Sequence, residues 1–308
     1  MVYLTNEDWN KIFIPKLNND ILFIEELKQE KKINDILLKL IKLIFPNKND
    51  SENELEQHII YSSMVYYYKY ILKNNIPHSD LSELKKVLIC TASIFLAFKA
   101  EGKRIELDLI SQALLPLLNN KSANIKLIEV NLKNLITQYE YDILCAIQFN
   151  LGIDNPYDIL KNLKFYLKKI SIESNIINEI IQLINKYINE SLLFPLCLYF
   201  SSYDIVLSCI FLVKESHNYY FINIDKFIQI YQLTVDKNDI YQCSKYISKI
   251  LNILKKNREI PEDNQEKEIK NNTKDNNKII INSNDIPQDD IENEIDFDLI
   301  SNINSNLA

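Results

Sequence analysis

The stretch of sequence that decides the fold is VLICTASIFLAF, residues 87–98. It contains no charged side chain, yet it is shorter than the run of about 18 apolar residues that crosses a bilayer. A helix that is apolar on every side must be surrounded by other helices if all of its faces are to be buried. Residues 204–214 have the same short, apolar character. Each of these two stretches predicts the central helix of a helical bundle.

Helical patterns flank both central stretches. In the first half, apolar residues recur at helical spacing in five segments, residues 20–45, 52–73, 81–101, 105–117 and 124–149. In the second half, the same spacing continues in five more segments, residues 156–169, 173–194, 202–216, 223–232 and 236–256. Asn155 as N-cap and Pro156 at the first helical position predict a clean start for the second series.

The two series of helices resemble each other in sequence. The letters IFL occupy residues 94–96 shortly before Lys99, and again residues 210–212 shortly before Lys214. We therefore predict an all-α protein made of two five-helix bundles, related as a divergent tandem repeat. The predicted divisions are an N-terminal segment at residues 1–19, a first bundle at 20–152, a second bundle at 153–256 and a disordered tail at 257–308.

Charge separates the tail from the bundles. The whole chain has a net charge of −7, and residues 255–308, with 13 acidic and seven basic side chains, carry −6 of it. That stretch is rich in Asn and lacks periodic apolar residues, so it has too little apolar surface to offset the entropy lost on ordering. The nearly neutral bundles lack the basic field of nucleic-acid-binding proteins, and we expect no direct contact with nucleic acid.

The composition excludes several kinds of chemistry. The chain has two glycines, Gly102 and Gly152, whereas phosphate-binding loops need several glycines close together. His58, His78 and His217 share no metal-ligand spacing, and no Gly-x-Ser-x-Gly motif of a hydrolase nucleophile is present. We therefore predict no catalytic residue, no metal site and no cofactor.

The cysteines and the apolar runs indicate the compartment. The five cysteines occur singly along the chain, which argues against a disulfide framework and a zinc ribbon. We therefore predict buried free thiols at Cys90, Cys145, Cys197, Cys209 and Cys243. The first ten residues carry no apolar core of a signal peptide, and no run is long enough to span a membrane. We expect a protein of the nucleus, with the cytoplasm as the alternative, and no membrane contact.

Two groups of aromatic residues are predicted to belong to the core. Trp9, with Ile12, Phe13 and Ile14, is expected to pack the N-terminal segment onto the first bundle. A stripe of tyrosines follows helical spacing at Tyr61, Tyr66, Tyr67, Tyr68 and Tyr70. Such a stripe can stack nucleic-acid bases, but the neutral charge of the bundles favours the core interpretation.

Three segments resemble the cyclin family. Residues 94–102, IFLAFKAEG, resemble the cyclin-box segment that reads roughly LAxKxEE. Residues 139–158, YEYDILCAIQFNLGIDNPYD, resemble the cyclin stretch with a glutamate opening the fifth helix, a Phe-x-Leu exit and a His-Pro-Tyr linker. Residues 187–200, YINESLLFPLCLYF, resemble a second-repeat segment of transcription-type cyclins. The resemblance covers about residues 20–254 and implies tandem cyclin boxes.

The resemblance is strongest to one subgroup of cyclins, and the sequence also departs from the family pattern at several positions. Asn-Pro-Tyr at residues 155–157 and Asn-Glu-Ser-Leu at residues 189–192 resemble the cyclin K, T and L group. Gly102 stands where the family has a second acidic residue, Tyr68 where it has an acidic residue or histidine, and Asn155 where it has the linker histidine. The arginine frequent in the first helix has no counterpart, so the resemblance does not carry over the ion pairs that brace the first box.

The resemblance implies a kinase-binding surface on the first box. Lys99 and Glu140 would form its central polar pair and contact the backbone of the kinase's regulatory helix region, while apolar neighbours supply most of the binding energy. The residues matched to family contact positions are Leu96, Lys99, Ala100, Glu101, Glu140, Leu144, Phe149 and Leu151. We expect both Lys99 and Glu140 to be largely exposed in the free chain.

The function that the resemblance implies is that of a non-catalytic subunit that binds and activates a cyclin-dependent kinase. The kinase would be of the transcriptional type, with the C-terminal tail of RNA polymerase II as substrate and a third transcription-related subunit as a further partner. The alternative is a general-transcription-factor-like tandem cyclin fold that bridges DNA and polymerase. Its usual zinc ribbon is missing here, and the acidic pI of about 5.2 also argues against it. Nothing in the sequence supports an enzyme.

Overall fold

The structure is a computed structural model that describes residues 4–45, 50–76, 81–118 and 125–259. These ranges contain 12 α-helices and no strand. The first seven helices are α1 (Asn6–Ile12), α2 (Ile14–Asn18), α3 (Asp20–Ile44), α4 (Asp50–Lys73), α5 (Glu83–Ala100), α6 (Leu107–Leu114) and α7 (Ile125–Ala146). The others are α8 (Pro156–Lys169), α9 (Ser174–Ser191), α10 (Ser202–His217), α11 (Ile224–Ile230) and α12 (Lys237–Glu259). The all-α prediction is confirmed.

The first five-helix bundle, α3 to α7, is built around α5. Helix α5 contacts α3, α4, α6 and α7, and every side chain from residue 87 to residue 98 is buried. Ser82 fixes the start of α5, because its hydroxyl accepts a hydrogen bond from the backbone N–H of Lys85. Inside the helix, the Thr91 hydroxyl donates to the carbonyl of Val87, so this buried polar group is satisfied.

The second five-helix bundle, α8 to α12, repeats this arrangement around α10. Helix α10 contacts α8, α9 and α11. It begins with a capping box, in which the side chains of Ser201 and Asp204 each accept a hydrogen bond from the other residue's backbone N–H. The Ser208 hydroxyl donates to the carbonyl of Ile240 and so links α10 to α12. Both predicted central helices therefore occupy central positions.

The start of α8 joins the two bundles. The Asn155 side chain accepts a hydrogen bond from the N–H of Tyr157, and Pro156 is the first helical residue, as predicted. Asn155 also donates through its side-chain amide to the carbonyl of His58 in α4, at 3.4 Å. The Tyr157 hydroxyl donates to the Asn189 side chain in α9, at 2.5 Å. The Asn-Pro-Tyr and Asn-Glu-Ser-Leu motifs are thus in contact.

The tyrosine stripe of α4 is buried, which confirms the core prediction. Two of its hydroxyls bind backbone carbonyls that are distant in sequence, one between the bundles and one in the second bundle. Tyr66 donates to the carbonyl of Leu151, and Tyr68 donates to the carbonyl of Leu192 at 2.5 Å. Tyrosine suits such a junction because the ring adds apolar area while the hydroxyl satisfies a buried carbonyl.

The N-terminal segment packs on both bundles, so the prediction that it packs on the first is only partly right. Helix α2 contacts α3 of the first bundle, as predicted, whereas α1 packs on the second. The Trp9 ring stacks on Tyr199 with a centroid distance of 4.7 Å, and it meets Phe194 and Phe200 edge-on. The backbone N–H of Leu4 donates to the carbonyl of Leu198. The core prediction for Trp9 itself holds, since its side chain is buried.

A buried polar cluster lies between α3, α4 and the segment after α9. The Glu30 residue is 1% exposed, and its carboxylate is near enough to the Tyr68 phenol to act on it electrostatically. Burial, followed by the Glu30 carboxylate, raises the pKa of Tyr68 well above its ordinary value. Burial lowers the pKa of Lys69 to about 8 and raises the pKa of Cys197 to about 12. Glu30 and Tyr68 therefore form a buried polar contact that the sequence resemblance did not supply.

Two further predictions concern the cysteines and the C-terminal tail. Four of the cysteines are buried, but Cys145 is exposed, which corrects the prediction for that residue. The predicted disordered tail falls outside the described residues, apart from the last turn of α12. No helix within the described ranges is long and apolar enough to cross a membrane.

Candidate functional site

The ion pair of Lys99 and Glu140 marks the candidate site. Lys99 lies in the last turn of α5, and Glu140 lies on α7, which packs against α5. The Lys99 ammonium donates to both carboxylate oxygens of Glu140, at 2.7 and 2.9 Å. The structure therefore brings together two residues that are 41 positions apart in the sequence.

The two partners differ in exposure. The Lys99 side chain is 48% exposed, whereas the Glu140 side chain is 9% exposed. The expectation that both are largely exposed is therefore wrong for Glu140. The reason is its register on α7, where it lies four residues after Ile136 and three before Ile143, both fully buried. The burial of Glu140 could therefore have been predicted from its helical spacing to these two isoleucines.

Lys99 is held in place by an aromatic ring as well as by its carboxylate. Its ammonium lies 4.0 Å from the centroid of the Phe95 ring, one turn earlier on α5. Phe95 was not among the predicted site residues, although its spacing of four from Lys99 places both on one face of the helix. The ammonium is thus pre-oriented at the end of α5, with part of it open to solvent.

The other predicted site residues divide between surface and core. Ala100 is exposed, and Glu101, Leu144 and Leu151 are half-buried. Leu96 is buried in the core.

Phe149 is an exposed, large apolar residue of the predicted set. Its ring is 61% exposed, and its backbone φ is +57°. Gln148 before it has a φ of +54°, so two consecutive residues with side chains adopt the left-handed conformation. A hydrogen bond from the N–H of Phe149 to the carbonyl of Leu144 holds this turn after α7. A strained backbone that presents a large apolar side chain to solvent is typical of a functional position.

Tyr141 extends the exposed face of α7 and was missed by the sequence analysis. Its side chain is 60% exposed and lies one turn before Cys145, which is also exposed. A hydrogen bond with the Cys145 thiol raises the pKa of the Tyr141 phenol. Its place beside Glu140 is the signal that would have indicated it.

Glu101 is the C-cap residue of α5 and contacts α4. Its carboxylate lies 3.8 Å from Nδ1 of His58, whose Nε2 lies 3.7 Å from the Asp158 carboxylate on α8. Glu101 therefore closes α5 beside the junction of the bundles. Among the described residues no group of three potential metal ligands comes together.

The described helices define a cyclin-like fold, with two five-helix bundles that each surround a central apolar helix. Searches found no matching family model and no matching curated protein. A chain of the yeast TFIIK complex of Kin28, Ccl1 and Tfb3 is similar, with a TM-score of 0.51 and 16% identity, over 80% of this chain and 96% of that one. A chain of the Chaetomium thermophilum CAK complex bound to ATP-γ-S has a TM-score of 0.41 and 14% identity, over 70% of this chain and 63% of that one. At 16% identity the likeness to the TFIIK chain concerns the fold alone.

Proposed function

We propose that this chain is a non-catalytic cyclin that binds and activates a cyclin-dependent kinase. The observation that carries the proposal is the pair of Lys99 and Glu140, joined at 2.7 Å at the end of the first central helix. The cyclin resemblance assigns the kinase contact to these two residues. A half-exposed ammonium, fixed on a buried carboxylate, is preorganised to donate to backbone carbonyls of a partner.

The apolar part of the proposed interface surrounds Lys99. Ala100 and Phe149 are exposed, and Leu144 is half-buried. Apolar side chains of this kind supply most of the energy of an interface, while the polar pair sets its register. In a kinase, the result would be that the regulatory helix is held inward and its Lys–Glu ion pair positions the phosphates of ATP. The cyclin would contribute no catalytic group.

The second part of the proposal concerns the type of kinase and its substrate. We infer a transcriptional kinase that acts on the C-terminal tail of RNA polymerase II in the nucleus, with a third subunit as a further partner. The sequence resemblance to the cyclin K, T and L group supports this inference through residues 155–157 and 189–192. Similarity in fold to a chain of the TFIIK complex, one of the complexes that contain cyclin subunits, supports the cyclin part.

The test is to identify the kinase that co-purifies with the full chain and to measure its affinity for Lys99 variants. Lys99→Ala should weaken binding about thirty-fold or more, because backbone groups of the kinase lose their donor in a desolvated interface. Lys99→Glu should weaken it further, since a carboxylate would face carbonyl oxygens. Lys99 is a cleaner target than Glu140, whose replacement would disturb the packing of α5 on α7.

Lys214 provides the matched control. It lies near the end of the second central helix, and the cyclin resemblance does not assign it to the kinase. Lys214→Ala should bind the kinase as the parent does, and melting temperatures should be compared because Lys99→Ala leaves the Glu140 carboxylate without its cation. Recovery of no kinase, or equal kinase affinity for both alanine variants and the parent, would contradict the proposal.

A further inference from the structure

A cleft of about 420 Å³ lies in the second bundle between α10, α11 and the start of α12. Its volume is in the range of ligand pockets, about 300–1,000 Å³. Its floor includes Phe211, Ile222 and Ile240. Its rim includes Lys214, Tyr220 and Tyr241. None of these residues belongs to the proposed kinase surface.

The apolar part of the cleft is open at its rim and closed at its floor. Ile222 and Ile240 are buried, whereas the Tyr220 side chain is 64% exposed and the Tyr241 side chain is 55% exposed. Two tyrosines standing in solvent around a buried apolar floor form a surface of the kind found at protein interfaces, where tyrosine is enriched. The cleft is therefore shaped to take one large apolar side chain.

Lys214 gives the cleft its charge, and a comparison with Lys99 shows what is missing. Near the end of α5, Lys99 has the Glu140 carboxylate of the last long helix at 2.7 Å. Near the end of α10, the ion-pair partner of Lys214 among the described residues is the adjacent Glu215, at 4.0 Å. The residues of α12 that line the cleft are Lys237, Ile240 and Tyr241, and none of these three carries a carboxylate. The first bundle thus supplies a close carboxylate for its lysine, and the second bundle does not.

The other charges near the cleft leave a positive excess. Lys237 pairs with Asp225 at 2.7 Å, so these two lining residues neutralise each other. Lys245 does not line the cleft, but its ammonium lies 4.3 Å from the centroid of the Tyr241 ring and so places a second cation beside the rim. Lys214 and Lys245 are then opposed by the Glu215 carboxylate, 4.0 Å from Lys214, so the charges described here leave one positive charge to attract negative charge from outside the bundle.

We propose that this cleft binds an acidic segment of a partner protein. A large apolar side chain of the segment fills the floor between Phe211 and Ile240, and carboxylates beside it bind Lys214 and Lys245. Charge-assisted hydrogen bonds to Lys214 replace the contact that Glu140 makes in the first bundle. The proposal does not depend on the kinase, because none of its residues lies on the surface assigned to that partner.

The experiment is a titration of the full chain into fluorescein-labelled peptides, followed by fluorescence anisotropy. The acidic peptide has the sequence DDLFDD, and the matched peptides NNLFNN and KKLFKK keep its apolar centre. DDLFDD should bind about tenfold or more tightly than NNLFNN, and KKLFKK should bind most weakly. Raising the salt concentration should weaken binding of DDLFDD, because the rim charges are exposed.

Variants separate this site from the kinase surface. Lys214→Ala should weaken DDLFDD about tenfold and Lys214→Glu more, while both variants keep the kinase affinity of the parent. Lys164→Ala, an exposed lysine on α8, and Lys99→Ala should bind the peptide as the parent does. Tyr241→Ala, at an exposed position, provides a second variant that should lose peptide affinity if Lys214→Glu does not fold. Equal affinity for DDLFDD and NNLFNN, preference for KKLFKK, or peptide binding unchanged in Lys214→Glu or Tyr241→Ala would overturn the proposal.

Discussion

Glu140 shows how one residue changes character between sequence and structure. In the sequence it is an acidic residue in a polar stretch, flanked by Tyr139 and Tyr141. In the structure it is a buried carboxylate whose charge is balanced by a single half-exposed lysine. A buried carboxylate destabilises the fold unless a cation lies close to it. Lys99 therefore stabilises the folded chain in addition to its proposed role in kinase binding.

The backbone at Phe149 allows stability and binding to be separated. Asparagine adopts the left-handed conformation more readily than phenylalanine. Because the Phe149 ring is 61% exposed, its loss removes little packing. Phe149→Asn should therefore raise the free energy of unfolding by about 0.5–1 kcal/mol, while it lowers kinase affinity about tenfold or more.

Gln148→Asn is the control for this prediction, since Gln148 has the same backbone conformation and is not in the predicted contact set. It should raise stability by a similar amount and leave kinase affinity unchanged. Urea denaturation and a kinase titration of both variants provide the check. A Phe149→Asn variant that binds the kinase normally would remove Phe149 from the interface.

At the scale of elements, helix ends were predicted well because their chemistry is local. The Asn155 cap and Pro156 start of α8 depend on neighbours in sequence. Helix α1 shows the opposite case. Its apolar face was predicted to be buried, but the surface that it covers, around Phe194 and Phe200, comes from distant sequence. An amphipathic pattern specifies which face is buried and does not specify the partner.

The cap of α8 gives a prediction at this scale. Asn155→Ala removes the bond to the N–H of Tyr157 and the bond to the carbonyl of His58. The free energy of unfolding should fall by about 1–2 kcal/mol, of which about 1 is the usual value of an N-cap. Asn162→Ala, at an exposed position inside the same helix, should cost little or nothing. Equal stability of the two variants in urea denaturation would show that the cap does not anchor α8.

At the scale of the whole molecule, the polar cluster of Glu30, Tyr68, Lys69 and Cys197 lies where α3, α4 and the segment after α9 meet. Burial lowers the pKa of Lys69 from 10.5 to about 8. Between these two values, the unfolded chain holds a proton on this residue that the folded chain has released. By linkage, the contribution of Lys69 to stability rises with pH through that window and is least favourable below pH 8.

The prediction compares the parent with Lys69→Met, so that the titration of buried tyrosines and cysteines cancels. The difference in unfolding free energy, variant minus parent, should be constant below about pH 8 and should decrease as pH rises from 8 towards 10.5. Urea denaturation at several pH values measures it. Lys73→Met, an exposed position one turn later on α4, should show no such dependence. A difference for Lys69→Met that does not change with pH would contradict the lowered pKa.

The sequence by itself determined the all-α class, the two central helices and the start of α8. These features depend on composition, on the period of apolar residues and on capping chemistry, all of which act over a few neighbouring positions. The cyclin resemblance also placed Lys99 and Glu140 together before any distance was known.

Tertiary structure alone decided which of these elements pack against one another. It buried Glu140 and Leu96, seated α1 on the second bundle, placed Glu30 beside Tyr68 and left Lys214 at an open cleft. Burial and pairing depend on residues that are distant in sequence, and a helical period carries no information on which distant face will cover it. The physical reason is that the hydrophobic effect is not directional, so it selects the face to be buried and leaves the choice of partner to the packing of the whole chain.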